Sequence, residues 1–120
     1  MNNLITGDLT LATQPERPDA IGLVWTGKSN DLYPGKQLTP YLQAALSEAA
    51  ERTVPIEMHF DRLDHFNSAT ITLLIQFIQE ARQRGVRLVM VYNQAIKWQK
   101  MSFNALRVFT RDAWLELRSV

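Results

Sequence analysis

Hydrophobic and polar residues in the first part of the chain form short apolar runs. The runs at residues 9–11 and 21–26 are typical of strands, and Pro15 and Pro18 interrupt the chain between them. Residues 27–35 are rich in Gly, Ser, Asn and Asp, so we predict a loop there. The chain is therefore expected to open with a hairpin of two strands.

A helical period follows this loop. Apolar residues recur three and four positions apart at Leu38, Leu42, Ala45, Leu46 and Ala49. Thr39 is predicted as the N-cap because Pro40 would then occupy the first helical position. Residues 56–60 alternate between apolar and polar side chains, which predicts a strand with one buried face.

The second half of the chain continues this alternation of helix and strand. Residues 71–81 carry a wide apolar stripe, and Gly85 is well placed to end that helix in a left-handed conformation. Residues 86–92 are almost continuously apolar, as in an interior strand of a sheet flanked by helices. Residues 96–109 have helical spacing, and residues 114–120 predict a last strand.

The order of these elements predicts an α/β fold. Helices that alternate with strands imply right-handed crossovers and parallel pairing, while the opening hairpin adds antiparallel strands. Because apolar and polar residues alternate along most of the strands, the helices should cover mainly one face of the sheet and leave the other partly exposed to solvent. We predict a single domain, residues 1–120, with a four- to five-stranded mixed sheet.

Residues 56–109 have the outline of a known family. A strand leads through a short loop to Phe66-Asn67-Ser68-Ala69-Thr70, and then come a helix, a glycine, a strand and a helix. This stretch resembles the STAS domains, the fold of the anti-sigma-factor antagonists, in which a strand leads to Asp-Ser-Ser/Ala-Gly-Leu. The helix that begins with Trp98-Gln99 also resembles a divergent bacterial branch of STAS-like proteins.

The resemblance implies a regulatory domain that is not an enzyme. Ser68 matches the family serine that is phosphorylated, whereas Asn67 stands in place of the family aspartate and Thr70 in place of the family glycine. The implied partner is a serine-kinase-type anti-sigma factor or another signalling protein. The expected partner-binding residues are Phe66, Asn67, Ser68, Ala69 and Thr70.

The position of Ser68 has a chemical logic of its own. A serine at a helix start is a natural phosphate acceptor, since free backbone N–H groups and the positive end of the helix dipole stabilise negative charge. A simpler interpretation is that Asn67 or Ser68 only caps the helix. Asp31 and Asp64 are expected to flank the same end of the sheet and to border the contact surface.

Composition and charge narrow the classes of function. The chain is 46% hydrophobic, has no cysteine, and shows neither a signal-peptide pattern nor an apolar run long enough to span a bilayer. We therefore expect a cytoplasmic protein without membrane association. Net charge is −4 over residues 1–66 (five Lys/Arg, nine Asp/Glu) and +5 over residues 67–120 (eight Lys/Arg, three Asp/Glu). The basic residues are scattered, so nucleic-acid binding is not predicted.

The sequence does not favour three other kinds of site. Asp64, His65 and Ser68 lie close together, but adjacent residues of an extended segment point to opposite sides, and no nucleophile elbow is present. The spacing of His59, Asp61 and His65 does not match a metal site. No phosphate-binding glycine motif occurs. No cofactor or metal is therefore predicted.

The tryptophans leave one alternative open. Trp25 and Trp114 are expected in the core, within strands, whereas Trp98 either packs in the core or belongs to an interface. The rival function is a non-phosphorylated structural or scaffold module, with a homodimer as one form. Such a module would use the wet sheet face or the surface around Trp98.

Overall fold

Seven strands and three helices follow one another in a computed structural model that describes residues 1–120. The elements in chain order are β1 (Leu4–Thr6), β2 (Leu9–Gln14), β3 (Ile21–Ser29), α1 (Gly35–Arg52), β4 (Ile56–His59), β5 (Leu63–Phe66), α2 (Ser68–Gln83), β6 (Leu88–Tyr92), α3 (Lys97–Ala105) and β7 (Leu115–Ser119). A 3₁₀ turn, Leu106–Thr110, continues α3. No helix of the chain has the length and apolar character needed to cross a bilayer.

The strands form one mixed sheet. Its order is β1-β2-β3-β4-β6-β7; β1, β2 and β3 pair antiparallel, and β3, β4, β6 and β7 pair parallel. The short strand β5 pairs parallel with the far end of β3. The predicted α/β class and mixed sheet are therefore confirmed, and the strand count exceeds the predicted four to five because β1 and β5 were not foreseen.

Alternate residues of the strands face the helices. Leu23, Met58 and Met90 are aligned in the register of β3, β4 and β6, and all three are fully buried. They belong to one hydrophobic cluster with the buried side chains of α1, α2 and α3. Residues one position further along each strand lie on the other face, which carries His59 and Arg118. The helices thus cover one face of the sheet, as the alternation predicted.

The predicted loop at residues 27–35 is wrong at its beginning. Strand β3 continues to Ser29, and Gly27, at φ +84°, stands at an irregularity in its pairing with β5. A Cβ at this position would lie 1.9 Å from the carbonyl oxygen of Asp8. The glycine thus marks a bulge and a close backbone approach inside a strand rather than a loop.

The first helix begins earlier than predicted. It starts at Gly35 after Pro34, and the amide of Leu38 donates to the Pro34 carbonyl (3.0 Å), so Thr39 is not the N-cap. Pro40 lies inside the helix, on its exposed side. Burial of Leu38 extends the helix by a turn and outweighs the preference of proline for the first position.

The last part of the chain also departs from the prediction. The helix predicted at residues 96–109 is α-helical only as far as Ala105. Trp114 precedes β7 and remains 41% exposed, so its assignment to a strand and to the core is wrong. Trp25 is fully buried in β3 as predicted, and Gly85 takes the left-handed conformation (φ +67°) predicted for the end of α2.

Candidate functional site

The chain passes from sheet to helix at the predicted position. Strand β5 ends at Phe66, Asn67 is the N-cap with extended backbone, and α2 begins at Ser68. Phe66 is 4% exposed and packs edge-on against Phe60 (ring centroids 6.2 Å apart) and Trp98 (5.0 Å). This buried aromatic ring fixes the end of β5 and with it the start of the helix.

Asn67 holds the helix start through both ends of its amide. Its Oδ1 accepts from the backbone N–H of Thr70 (2.9 Å) and from the Thr70 hydroxyl (2.8 Å). Its Nδ2 donates to the carbonyl oxygen of Asp31 (2.8 Å), in the loop after β3. Its own backbone N–H donates to the Ser29 carbonyl (3.0 Å). Asn67 therefore caps α2 and also ties it to the end of β3.

A buried hydroxyl pair lies beneath this cap. Thr70 is fully buried and Ser29 is 3% exposed, and their hydroxyl oxygens are 2.7 Å apart. Because buried polar groups are costly unless paired, this contact fixes the first turn of α2 against β3. Thr70 thus adds a polar contact to the core.

Ser68 is the accessible residue of the motif. Its side chain is exposed and forms no hydrogen bond within the chain, while Asn67 and Ala69 are half-buried. The amides of Ser68 and Ala69 are among the first N–H groups of α2, which have no intrahelical acceptor. The hydroxyl therefore lies where backbone donors and the positive end of the helix dipole meet.

Burial divides the five residues predicted to bind a partner. The side chains of Phe66 and Thr70 are enclosed in the core, so they position the loop and do not offer contact surface. Asn67, Ser68 and Ala69 retain access to solvent. The sequence does not distinguish these five residues, because the direction of each side chain depends on how the loop packs in the fold.

The loop that Asn67 holds contributes exposed apolar surface that the sequence interpretation missed. Leu32 and Tyr33 are each 79% exposed, directly after the Asp31 carbonyl that Asn67 binds. Asp31 and Asp64, which were expected to border the site, are also exposed. The available signal was a pair of apolar residues inside a stretch of turn residues, where the core does not require them.

Gln99, the buried residue of the Trp98-Gln99 pair, forms hydrogen bonds to the backbone. Its Nε2 donates to the carbonyls of Phe60 (2.8 Å) and Leu63 (3.1 Å), and its Oε1 accepts from the amide of Asn93 (2.7 Å). The side chain is fully buried, and its bonds satisfy backbone groups at the turn between β4 and β5 and directly after β6. Trp98 beside it is half-buried, with one side on Phe66.

The residues considered for a catalytic triad or a metal site do not form one. The side chains of Asp64, His65 and Ser68 form no hydrogen bond with one another, and the His65 ring lies 6.2 Å from that of Trp98. No group of three or more His, Cys, Asp or Glu side chains is positioned to hold a metal ion.

On the open sheet face, His59 lies in a polar network instead. Its Nε2 is 2.8 Å from Oε1 of Glu57, which also accepts from Arg17 (3.0 Å). Burial raises the pKa of Glu57, but the hydrogen bond and charge of Arg17, with the nearby His59, outweigh this effect and hold the pKa below its ordinary value. The network joins strand β4 to the segment between β2 and β3.

Comparison with known proteins identifies the fold. No family model matches the sequence, and no curated protein matches it. Among solved structures, the chain is similar to the anti-sigma factor antagonist SpoIIAA in its unphosphorylated form, with a TM-score of 0.53 and 16% sequence identity. The alignment covers 88% of this chain and 86% of that one. The chain therefore has the STAS fold that the sequence predicted.

Proposed function

We propose that this chain is a non-catalytic regulatory domain of the cytoplasm that binds a partner protein at the start of α2. The contact surface comprises Asn67, Ser68 and Ala69, together with the exposed Leu32 and Tyr33 of the neighbouring loop. Phosphorylation of Ser68 weakens this contact. The partner is a serine-kinase-type anti-sigma factor or a related signalling protein.

The observation that carries the proposal is the exposed hydroxyl of Ser68 on a rigidly held helix start. Asn67 and Thr70 fix the backbone on either side by hydrogen bonds to the β3 strand and its loop, while Ser68 itself is free. A kinase needs an accessible hydroxyl, and a partner needs a surface of constant shape. This position offers both.

The switch follows from electrostatics rather than from refolding. A phosphoryl group adds about −1.5 to −2 charges at neutral pH, and at a helix N-terminus the free N–H groups and the dipole stabilise that charge. The fold is therefore retained, and the effect is on the free energy of binding, because a docked partner must either remove water from the phosphate or place its own surface against that charge. The fold likeness to SpoIIAA, whose solved form is described as unphosphorylated, agrees with such a role.

Binding of the native partner to two variants tests the proposal. Ser68→Ala should bind like the unphosphorylated protein and should not respond to the kinase. Ser68→Asp mimics only part of the phosphate charge. It should weaken binding about tenfold, because a new negative charge that the partner does not pair costs at least about one kcal/mol at an interface. The matched control is Ser119→Asp, which adds the same charge to an exposed serine at the end of β7.

Two further measurements decide between this proposal and the scaffold alternative. Intact-mass analysis of the protein from its native cells should show a species heavier by one phosphoryl group that maps to Ser68. Sedimentation should show a monomer that binds a different protein. A tight homodimer without any phosphate, or equal partner binding by both Ser68 variants, would contradict the switch.

A further inference from the structure

Helix α3 and the turn that follows it form an uncompensated basic surface. Residues 93–111 contain four Lys/Arg and no Asp or Glu. Lys97, Lys100 and Arg111 are exposed, and none of the three takes part in a salt bridge or a side-chain hydrogen bond within the chain. By contrast, Arg17, Arg52, Arg82, Arg87 and Arg118 are each paired with a carboxylate.

The same surface exposes apolar side chains. Met101 is 64% exposed and Val108 is 51% exposed, seven residues further along. Single exposed apolar residues are ordinary, but here both lie in the longest stretch of the chain without an acidic residue, residues 81–111. We call Lys97, Lys100, Met101 and Val108 the α3 surface.

The α3 surface adjoins the start of α2. Trp98 lies between Lys97 and Lys100 in the sequence. Its ring packs on Phe66, which lies two residues before Ser68, with the ring centroids 5.0 Å apart. The ring of Trp98 also faces that of His65 at 6.2 Å. A partner that docks at Ser68 therefore meets the N-terminal end of α3 as well.

We infer that the α3 surface binds an acidic segment of the partner protein, in which Asp or Glu side chains alternate with apolar ones. This inference rests on the proposed function and specifies the chemistry of the partner. The carboxylates face Lys97 and Lys100, and the apolar residues cover Met101 and Val108. A phosphoryl group on Ser68 then acts twice, because it repels these carboxylates and screens the lysines.

Other polyanions fit the surface less well. Sequence-independent nucleic-acid binding depends on many phosphate contacts and on exposed aromatic rings for stacking, whereas here three free cations are spread over fifteen residues and Trp98 is packed against Phe66. A membrane-surface helix needs a broad apolar face with large anchoring residues. The α3 surface offers only one methionine and one valine.

Fluorescence anisotropy with a defined probe tests the inference. The probe is a labelled peptide that carries four glutamates and two leucines, and the control peptide has glutamine in place of each glutamate. Lys97→Glu and Lys100→Glu should each weaken binding of the probe about fivefold at low salt, because each reverses one exposed charge at the contact. Lys36→Glu changes the net charge equally at an exposed, unpaired lysine of α1 and should have little effect.

The outcomes separate the inference from the switch. Binding of the glutamate peptide alone, with amide chemical-shift changes confined to α3 and the start of α2, supports the inference. Absence of binding, an equal loss in Lys36→Glu, or tighter binding of a single-stranded oligonucleotide or of phosphatidylserine vesicles would overturn it. If Ser68→Asp leaves probe binding unchanged while the lysine variants weaken it, the α3 surface stands and the proposed switch fails.

Discussion

Replacing Asn67 with alanine should loosen the join between sheet and helix. The change removes the acceptor for the Thr70 amide (2.9 Å) and the donor to the Asp31 carbonyl (2.8 Å). It also leaves the hydroxyl of Thr70, which is fully buried, with one partner fewer. The perturbation thus acts on the cap and on a long-range contact at the same time.

The expected loss follows from these two parts. Alanine in place of an asparagine N-cap costs about 1 kcal/mol, and the lost hydrogen bond to the loop adds about 1 kcal/mol. We therefore expect the free energy of unfolding to fall by about 2 kcal/mol, which for a chain of 120 residues lowers Tm by roughly 6–10 °C.

Urea unfolding followed by circular dichroism measures this loss. The midpoint should fall without a change in m, because the folded core is retained. Asn30→Ala is the matched control, since Asn30 is exposed in the same loop and its side chain forms no hydrogen bond. A loss in Asn67→Ala below about 0.5 kcal/mol, or one equal to that of the control, would show that the hydrogen bonds of Asn67 do not hold the site.

Three further predictions concern stability. Gln99→Met keeps the volume but removes three hydrogen bonds: the Phe60 carbonyl still accepts from the Leu63 amide, whereas the Leu63 carbonyl and the Asn93 amide lose the partner that Gln99 supplied. Urea unfolding should show the free energy of unfolding reduced by about 2 kcal/mol. Because Arg17 lowers the pKa of Glu57 in the folded state, the contribution of Glu57 to stability is present above about pH 4.3 and is lost as the pH falls through the folded pKa. Between about pH 6 and about pH 3, Tm should therefore fall more steeply for the wild type than for Glu57→Gln. Gly27→Ala would place a Cβ 1.9 Å from a backbone carbonyl oxygen and should cost about 3 kcal/mol or prevent folding, whereas Gly7→Ala, at φ +58° with open space around it, should cost about 1 kcal/mol.

Sequence patterns predicted the elements that bury a continuous stripe and missed those that depend on distant pairing. Helix α2, strand β6 and the left-handed Gly85 follow from local periodicity and chain geometry. Strand β5 has apolar residues only at its two ends, and it becomes a strand because β3 extends far enough to pair with it. No local signal in residues 63–66 contains that information.

The candidate site shows the same division. Asn67 as a cap and Ser68 at the first helical position could be predicted, since both depend on the residues that follow directly. The bond from Asn67 to Asp31 and the hydroxyl pair of Thr70 and Ser29 join residues 36 and 41 positions apart. These contacts decide which motif residues are buried, and they depend on how the β3 loop packs against α2.

The asparagine at position 67 therefore has a structural reason that also bears on the proposed switch. An aspartate at position 67 would cap α2 equally well, but an ionised carboxylate cannot donate to the Asp31 carbonyl, so asparagine suits this loop better. Asparagine also leaves the helix start without a formal negative charge of its own. A phosphoryl group on Ser68 would then be the only formal charge within residues 66–70, about −1.5 to −2, rather than an addition to a carboxylate next to it, which would increase the contrast between the two states. The amide that holds the helix start would thus also strengthen the proposed charge-based switch.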